Sequence, residues 1–357
     1  MRSFAENVFR GRERSGKMKK GRIAAGLLIL TMLALPAGCN LRPAETVNPT
    51  GALDRKEYMD EAVVTIDGVG IGYREVMLYL QAAKQEYEST YGSEIWQYML
   101  AEDGTTLGGW VKNQTLEQVI YVKIVCAQAK KLGIELDSEE KSRVTERTEE
   151  YMGKAEYGTL ALYGIARKDV EQVYADTALA QKVYDSVTLN VDTDISNEEA
   201  AQKHLQSLML KNYHEDELGN RTSLTVQELI ATLDRFDSLY AEAKETKDFY
   251  SLAYANTEDK EFLDVMVGAG DLPADLSAAY NLAAGEAMQI RTENGYYLFY
   301  CVSEYDEDAT IAKKEEMIAS RQEEAFKKLY EEWYEAAKLE KNEEIWAAIG
   351  LDLEAES

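Results

Sequence analysis

The stretch NGYYLFYCV, residues 294–302, constrains the fold most strongly, because its apolar side chains would lie on both faces of any strand that it forms. Side chains alternate between the two faces of a strand. One face would carry Tyr296, Leu298, Tyr300 and Val302, and the other would carry Tyr297, Phe299 and Cys301. We therefore expect a strand that is covered on both sides. Whether one of its faces is also a functional site depends on the rest of the chain.

The region before this strand combines strand and helix signals. SLMLK (207–211) is typical of a strand, and the following YHEDELGNRTS is typical of a polar loop. Two helices are expected in VQELIATLDRFDSLYAEAKE (226–245) and KDFYSLAYA (247–255). Ser196 and Glu199 have the spacing of a helix N-terminal cap at the start of the region. These signals predict a small α+β unit over residues 196–307.

The chain before residue 196 has a helical pattern from Gly72 to about Val191. It is preceded by VVTIDGV, in which Asp67 and Gly68 predict a tight turn between two short strands. One later helix should end at Gly133, and Asp137 with Glu140 should cap the next. The apolar face of the helix before Gly133 is expected to consist of Leu116, Val119, Ile120, Ile124 and Ala127.

After the two-faced strand, the chain from Ile311 to Trp346 is highly charged and predicts one long helix. Its apolar side chains form a narrow stripe of Met317, Phe326, Leu329, Tyr330 and Trp333. Such a stripe is typical of a helix that docks onto another lobe, and a coiled coil is the second interpretation.

The N-terminus has the order of a secretory signal. Residues 1–38 carry eight Lys or Arg against two Glu, and an apolar run from Ile23 to Leu35 ends in small residues before Cys39. The sequence LPAGC is similar to a bacterial lipobox, although Pro36 stands where that motif prefers Leu. We expect a lipid on Cys39, with an ordinary signal peptide as the alternative, and a polar tether before residue 59.

Charge and composition exclude several classes of function. The chain has 39 basic and 65 acidic residues, a formal net charge of −26, so a phosphate backbone would repel it and nucleic acid is not expected as a partner. Its two histidines, His204 and His214, argue against a Ser-His-Asp arrangement or a histidine-rich metal site. No metal or cofactor is expected. Cys126 and Cys301 are expected to be small buried hydrophobes rather than a disulfide.

Taken together, these features resemble the PrsA and SurA foldases, extracytoplasmic chaperones that carry parvulin-type prolyl isomerase domains. The resemblance of the helical part rests on VVTIDGVGIGYREV (63–76), AKKLGIELDSEE (129–140) and YGIARKDVEQVYADTALAQKVYDSV (163–187). It implies an α+β protein, with a mostly helical lobe from N-terminal helices and a C-terminal helix, and an inserted parvulin-like domain. The expected segments are 1–38 signal peptide, 39–58 lipidated tether, 59–192 helical lobe, 196–307 parvulin-like domain and 311–353 C-terminal helix.

The insert matches parvulin segments in order. TKDFYSLAYANTED (246–259) is similar to a segment that often reads GEDFAELAKEYSTD, and DLPADLSAAYNLAAGE (271–286) is similar to MVPEFEKAAFSLKVGE. The second pair shares Pro273, Ala278, Ala279, Leu282, Gly285 and Glu286. NGYYLFYCV then stands in the place of the final parvulin strand.

The residues of parvulin chemistry are replaced. The resemblance places the two family histidines at Ser207 and Tyr297, and His204 could replace the first only if the strand shifts. The pocket Met and Phe correspond to Asp271 and Asp275, while Leu272 and Leu276 could substitute after a one-residue shift. Glu258 or Asp259 would occupy the acidic position of the family. Because desolvating an unpaired carboxylate is expensive, such a pocket suits a proline ring poorly.

The resemblance implies a membrane-anchored chaperone or foldase that assists the folding of exported proteins at the outer face of the bacterial cell membrane, with weak or absent isomerase activity. Its partners would be unfolded or partly folded exported polypeptides, held in a tyrosine-rich cleft of the helical lobe, although the 23 tyrosines also fit ordinary core positions. Two alternatives are an active prolyl isomerase with a rearranged site, and a non-enzymatic lipoprotein that serves as an adaptor or a receptor.

Overall fold

The structure, a computed structural model, describes residues 58–101, 103–155, 157–216 and 219–351. It contains two compact units. The first comprises the described residues up to Leu189 and from Phe326 onward, and the second spans Asn190–Ala325. Helices and antiparallel sheets occur together, so the α+β class expected from the sequence is confirmed.

The first unit begins with a hairpin and continues with helices. Its elements up to Thr188 are β1 (Ala62–Ile66), β2 (Val69–Gly72), α1 (Tyr73–Tyr91), α2 (Leu107–Leu132), α3 (Ser138–Lys154), α4 (Tyr157–Leu162) and α5 (Arg167–Thr188). The predicted turn is present, with positive φ angles at both Asp67 (52°) and Gly68 (79°). This is the backbone that a two-residue hairpin loop requires.

The second unit consists of a four-stranded sheet, a small hairpin and several helices. In chain order its elements are α6 (Asn197–Ala200), β3 (Lys203–Lys211), β4 (Tyr213–Glu215), β5 (Arg221–Ser223), α7 (Val226–Ala243), α8 (Phe249–Asn256), β6 (Asp264–Val267), β7 (Ala287–Thr292) and β8 (Gly295–Ser303). The helix α9 (Glu307–Ala336) follows, and β9 (Leu339–Lys341) and α10 (Glu343–Ala348) end the described chain.

Local signals set the helix ends as expected. The helix α2 ends at Gly133, whose φ of 68° lies in the left-handed region. Asp137 accepts hydrogen bonds from the backbone of Glu139 and Glu140, and the Glu140 side chain accepts from the Asp137 backbone, which completes a capping box.

The apolar face expected for α2 is almost entirely correct. Leu116, Val119, Ile120 and Ile124 are buried in the core of the first unit. Ala127 is exposed, so its prediction was wrong; the buried face of this helix continues through Val125 and Ala129 instead.

The single C-terminal helix predicted from Ile311 to Trp346, and the helical segment 311–353, were wrong beyond Ala336. The helix α9 stops there, and β9 adds a third strand to the hairpin, with Leu339 opposite Ile66. Asn342 then caps α10 by accepting a hydrogen bond from the backbone of Ile345. Helical periodicity cannot reveal a strand whose partner lies far away in the sequence.

The last part of α9 and the segment after it contribute to the core of the first unit. Phe326 is buried, with ring centroids 6.1 Å from Tyr121 and 4.9 Å from Tyr184. Beyond β9, the buried residues of this core are Ile345, Trp346, Ile349 and Leu351. The tyrosines of the first unit that are buried in the same core are Tyr58, Tyr73, Tyr79, Tyr163 and Tyr174, so these rings are core residues rather than the lining of a cleft.

The sheet of the second unit has the order β6-β3-β8-β7, and all neighbouring strands are antiparallel. The sequence predicted β3 and β8 but missed β6 and β7. It also took residues 213–223 for a loop, whereas Tyr213–Glu215 and Arg221–Ser223 pair as a hairpin.

Both faces of β8 are covered, as its sequence predicts. Leu298 packs with Leu208 and Leu210 of β3 and with side chains of α7 and α8. Phe299 and Cys301 pack on the opposite side, against side chains from the segment that joins β6 to β7. Val302 departs from the pattern, because 40% of its surface is exposed at the end of the strand.

Candidate functional site

The face of the four-stranded sheet opposite α7 and α8 carries the positions that the sequence singled out. We call it the Tyr297 face. Its buried floor consists of Leu205, Val267, Leu272, Leu276, Ala279, Leu282, Phe299 and Cys301. Its half-buried apolar side chains are Phe262, Val265, Tyr280, Met288, Ile290 and Tyr297. An apolar floor with accessible apolar and aromatic side chains above it can bind an apolar segment of another molecule.

Tyr297 lies near the middle of this face. Its strand β8 is central in the sheet, and Tyr297 is opposite Met209 of β3 and Ile290 of β7. The ring stacks on Phe299 with centroids 6.2 Å apart and an interplanar angle of 19°, and Phe299 in turn lies 6.4 Å from the Phe262 ring. Phe299 is fully buried, so it supports the half-buried rings of Tyr297 and Phe262 from within the floor.

The phenol of Tyr297 is in a negative environment. Partial burial raises its pKa, and the nearby carboxylates of Asp259, Glu261 and Asp275 raise it further. The phenol is therefore neutral at physiological pH and can donate a hydrogen bond, but it cannot serve as the proton-exchanging group that an imidazole provides.

Ser207 lies on the same face, in the neighbouring strand. It is opposite Phe299 and lies two residues along β3 from Met209, which is opposite Tyr297. Ser207 is buried, and its hydroxyl donates a 2.7 Å hydrogen bond to the backbone oxygen of Phe262. The structure thus brings Ser207 and Tyr297 to one face, but the Ser207 hydroxyl is engaged by the backbone beside β6.

His204 does not join them. Its Nε2 lies 2.7 Å from Asp264 Oδ1, and Gln206 donates to the same oxygen over 2.9 Å. Side chains alternate along β3, so Gln206 lies on the side of the sheet opposite Ser207. His204 shares the partner Asp264 with Gln206 and therefore lies on that opposite side as well. The strand shift that would bring His204 into the position of Ser207 is not present.

The four positions predicted for the pocket separate into two pairs. Leu272 and Leu276 are buried in the floor of the Tyr297 face. Asp271 and Asp275 are exposed, and Asp271 Oδ2 accepts a 2.7 Å hydrogen bond from the backbone of Gly268. The segment therefore turns Leu272 and Leu276 inward, as the one-residue shift considered from the sequence would have it. The carboxylates of Asp271 and Asp275 stay in water.

Of the two candidates for the acidic position, Glu258 is bonded elsewhere, whereas Asp259 is near enough to Tyr297 for its charge to raise the pKa of the phenol. Glu258 accepts from the backbone of Lys211 and lies 3.2 Å from Arg235. Asp259 is held through Thr257, whose hydroxyl donates to the Asp259 backbone oxygen and accepts from the backbone of Met209. Met209 is the cross-strand neighbour of Tyr297.

Sequence reasoning missed Phe262, Met288 and Ile290 as members of the face. Met288 and Ile290 had a usable signal, since AMQIRT (287–292) alternates and places both on one side of a strand. Phe262 had none, because it lies outside any strand and reaches the face through its ring contact with Phe299.

The remaining predicted groups lie elsewhere. Cys39 lies outside the described residues. Cys126 and Cys301 are free thiols; Cys126 donates to the backbone oxygen of Asp176, and Cys301 is buried in the floor of the face. His214 of the small hairpin contacts Glu228 of α7 over 3.2 Å.

In the part of the chain that the structure describes, no cluster of three or more His, Cys, Asp or Glu side chains has metal-binding geometry, and no helix is long and apolar enough to span a membrane.

The fold and the face place the chain among α+β proteins with a two-sided antiparallel sheet. Within that class the chain is similar to the foldase protein PrsA. It is 24% identical over 283 residues to the foldase protein PrsA of Clostridium botulinum strain Langeland, which covers 73% of this chain and 81% of that protein. The PrsA of strain Loch Maree is 24% identical over 267 residues, covering 70% and 78%. The resemblance inferred from the sequence is thus confirmed. No family model matches the chain.

Two solved structures have a distant similarity to the chain. The crystal structure of the peptidylprolyl isomerase PrsA from Bacillus cereus has 14% sequence identity and a TM-score of 0.31, covering 69% of this chain and 93% of that one. A SurA-like chaperone from Campylobacter jejuni has 12% identity and a TM-score of 0.30, covering 78% and 98%.

Proposed function

We propose that this protein is a chaperone or foldase of the parvulin family that binds unfolded segments of exported polypeptides at the Tyr297 face and has little or no prolyl isomerase activity. The observation that carries the proposal is the PrsA-like similarity over most of the chain, combined with a sheet face that has an apolar floor and bears Ser207 and Tyr297. The sequence resemblance assigns these two residues to the histidine positions of the family.

Binding would rest on the half-buried side chains of the face. Phe262, Met288, Ile290 and Tyr297 each lose further water contact when an apolar segment covers them, and such burial contributes about 25 cal/mol per Å². Methionine adapts to varied shapes, and tyrosine gives apolar contact while its hydroxyl tolerates water. A surface of this composition suits weak and reversible binding of many sequences.

Isomerase activity has little support from the same face. Rotation about a peptide bond to proline must cross a barrier of ~18–20 kcal/mol, and an isomerase lowers it by binding the twisted amide better than the planar one. The chain has two histidines, and neither lies on the Tyr297 face: His204 contacts Asp264 and His214 contacts Glu228. The Ser207 hydroxyl is already bonded to Phe262.

Two assays on the purified protein test this proposal. In a protease-coupled assay with a proline peptide, we expect isomerisation no faster than in buffer. In a light-scattering assay, we expect a stoichiometric amount of the protein to slow the aggregation of an unfolded client. Isomerisation well above buffer would favour the active enzyme with a rearranged site. No protection of the client, together with retention of one defined partner, would favour an adaptor.

Export and lipid anchoring through Cys39 are part of the proposal. The signal-like order of residues 1–38 and the small residues before Cys39 support them. We expect mass spectrometry of the protein purified from membranes to find an N-terminal diacylglyceryl cysteine at position 39. The Cys39→Ser variant should lose the modification and leave the membrane fraction. An unmodified Cys39 in membrane-bound protein would contradict this step.

A further inference from the structure

Three carboxylates lie in the segments that border the Tyr297 face, and the charge of each raises the pKa of Tyr297. Asp259 is tied through Thr257 to the backbone of Met209, which is opposite Tyr297. Glu261 precedes Phe262, a half-buried side chain of the face, and Asp275 precedes Leu276 of its floor. Asp259 and Glu261 lie between α8 and β6, and Asp275 lies between β6 and β7, so two separate segments of the chain place negative charge next to the apolar surface.

These carboxylates are not neutralised by ion pairs. Asp259, Glu261 and Asp275 are exposed, and none of the ion pairs among the described residues includes them. Nearby carboxylates differ: Glu215 pairs with Lys211, and Glu258 with Arg235. The lysine between Asp259 and Glu261, Lys260, instead lies over the ring of Tyr254, 4.2 Å from its centroid.

Unpaired carboxylates beside an apolar surface favour one class of ligand. A segment with only apolar residues gains nothing from them, and a segment with acidic flanks is repelled. A segment whose apolar residues are flanked by Lys or Arg can cover the face and place its cations at the rim. Such rim charges contribute modestly to affinity, raise the association rate and are screened by salt.

We infer that the Tyr297 face selects unfolded segments in which apolar or aromatic residues are flanked by Lys or Arg, and that Asp259, Glu261 and Asp275 determine this specificity. The inference rests on the proposed function and names its substrate class. It assigns the selection to three residues rather than to the net charge of −26, which would attract any basic chain.

Three peptides and two matched variants test the inference. The peptides are fluorescein-labelled, share one central apolar and aromatic sequence without proline, and carry two Lys, two Ser or two Glu on each side. Fluorescence anisotropy measures their binding to the full protein at low and high salt. At low salt we expect the Lys-flanked peptide to bind about tenfold more tightly than the Ser-flanked one, and the Glu-flanked one to bind most weakly. High salt should remove most of this difference.

The first variant replaces the three rim carboxylates with their amides (Asp259→Asn, Glu261→Gln, Asp275→Asn). It should lose most of the preference for the Lys-flanked peptide and bind the Ser-flanked one within about twofold of wild type. The control variant makes the same change in charge on exposed residues at α7 that have no ion pair in the described chain (Asp234→Asn, Glu242→Gln, Glu245→Gln). It should keep the preference. Circular dichroism checks that both variants fold.

The outcomes separate this inference from the function on which it rests. If the wild-type protein binds the Lys-flanked and Ser-flanked peptides equally, or if the two variants reduce the preference to the same extent, the inference is wrong while client binding stands. If the wild-type protein binds none of the three peptides, the proposed function itself fails.

Discussion

At the scale of the residue, the side chain at position 297 decides which chemistry is available at the proposed site. A tyrosine there stacks on Phe299 and extends the apolar face, whereas an imidazole could exchange protons near physiological pH. The Ser207 hydroxyl on the neighbouring strand is bonded to the Phe262 backbone, so it is not free to act on a ligand at this face. These two side chains support the proposal that the face binds clients and has little or no isomerase activity.

Truncation of this ring should weaken client binding. In Tyr297→Ala the half-buried ring and its contact with Phe299 are lost, and aromatic pairs contribute about 0.5–1.5 kcal/mol beyond burial. We expect the affinity for the Ser-flanked peptide to fall roughly five- to tenfold, measured by fluorescence anisotropy. Tyr297→Phe keeps the ring and should bind within about twofold of wild type. Equal binding by all three proteins would place the clients elsewhere.

A second residue-scale feature lies in the first unit, where Lys123 bridges two carboxylates. Its Nζ is 2.7 Å from Glu75 and 2.5 Å from Asp176, and all three side chains are largely buried. In Lys123→Met both carboxylates lose their shared cation, and we expect the free energy of unfolding to fall by about 3 kcal/mol in urea denaturation. The matched control is Lys154→Met, which removes an exposed pair with Glu150 and should change stability little. If both variants lost a similar amount of free energy of unfolding, the buried Lys123 bridge would stabilise the unit no more than an exposed ion pair, which would contradict this prediction.

The same cluster predicts a pH dependence with a definite sign. Burial raises the pKa of Glu75, so its protonated form favours the folded state. This contribution to stability is fully present below about pH 4.3, the unfolded value, and is lost as the pH rises through the folded-state pKa. Glu75→Gln removes it. The free energy of unfolding of the variant minus that of wild type should therefore rise between pH 4 and pH 8, and a flat or falling difference would contradict the assignment.

At the scale of the element, the sequence predicts what local chemistry determines. The turn at Asp67 and Gly68, the end of α2 at Gly133 and the capping box of α3 are set by residues within a few positions of one another, and all were predicted. The two-sided burial of β8 was also predictable, because alternating apolar side chains appear directly in the sequence.

Strands that depend on distant partners were not predictable in this way. The strands β6 and β9 are three or four residues long, and each exists because it pairs with a strand far away in the sequence, β3 for one and β1 for the other. The candidate site shows the same division. The sequence predicted the strands that carry Ser207 and Tyr297, and the structure places both residues on one face. The sequence could not tell whether Asp271 and Asp275 or Leu272 and Leu276 turn inward, because packing against Phe299 and Cys301 decides this.

The C-terminal segment after α9 should be essential to the first unit. Trp346 is buried in its core, and Lys112 lies over the indole, 4.3 Å from the ring centroid. We expect Trp346→Ala to lower the free energy of unfolding of this unit by about 3–5 kcal/mol, because it leaves a large cavity. Glu344→Ala, at an exposed position of the same helix, should change it by no more than about 0.5 kcal/mol.

Hydrogen exchange locates the effect of the Trp346 substitution. Amides of α1 and α2 should exchange faster in Trp346→Ala, while those of β3 and β8 in the second unit should keep their wild-type rates, since the two units have separate cores. Equal acceleration in both units would mean that they unfold together, and no acceleration would mean that the C-terminal segment is dispensable.

At the scale of the whole molecule, the chain combines a helical unit that has its own core with a sheet unit that offers a partly exposed apolar face, on a strongly acidic background. The similarity to PrsA covers 73% of the chain. Such a combination suits a protein that holds unfolded chains briefly and reversibly, because the high net charge keeps it soluble while the apolar surface is available.

Hydrogen–deuterium exchange of the full protein, with and without a saturating unfolded client, tests the central claim most directly. The account predicts that the client slows exchange in residues 259–265 and 287–299, which form the rim and the accessible side chains of the Tyr297 face, while residues 226–243 on the other side of the sheet are unchanged. Slower exchange confined to the first unit, or no change anywhere at a concentration where the client binds, would contradict it.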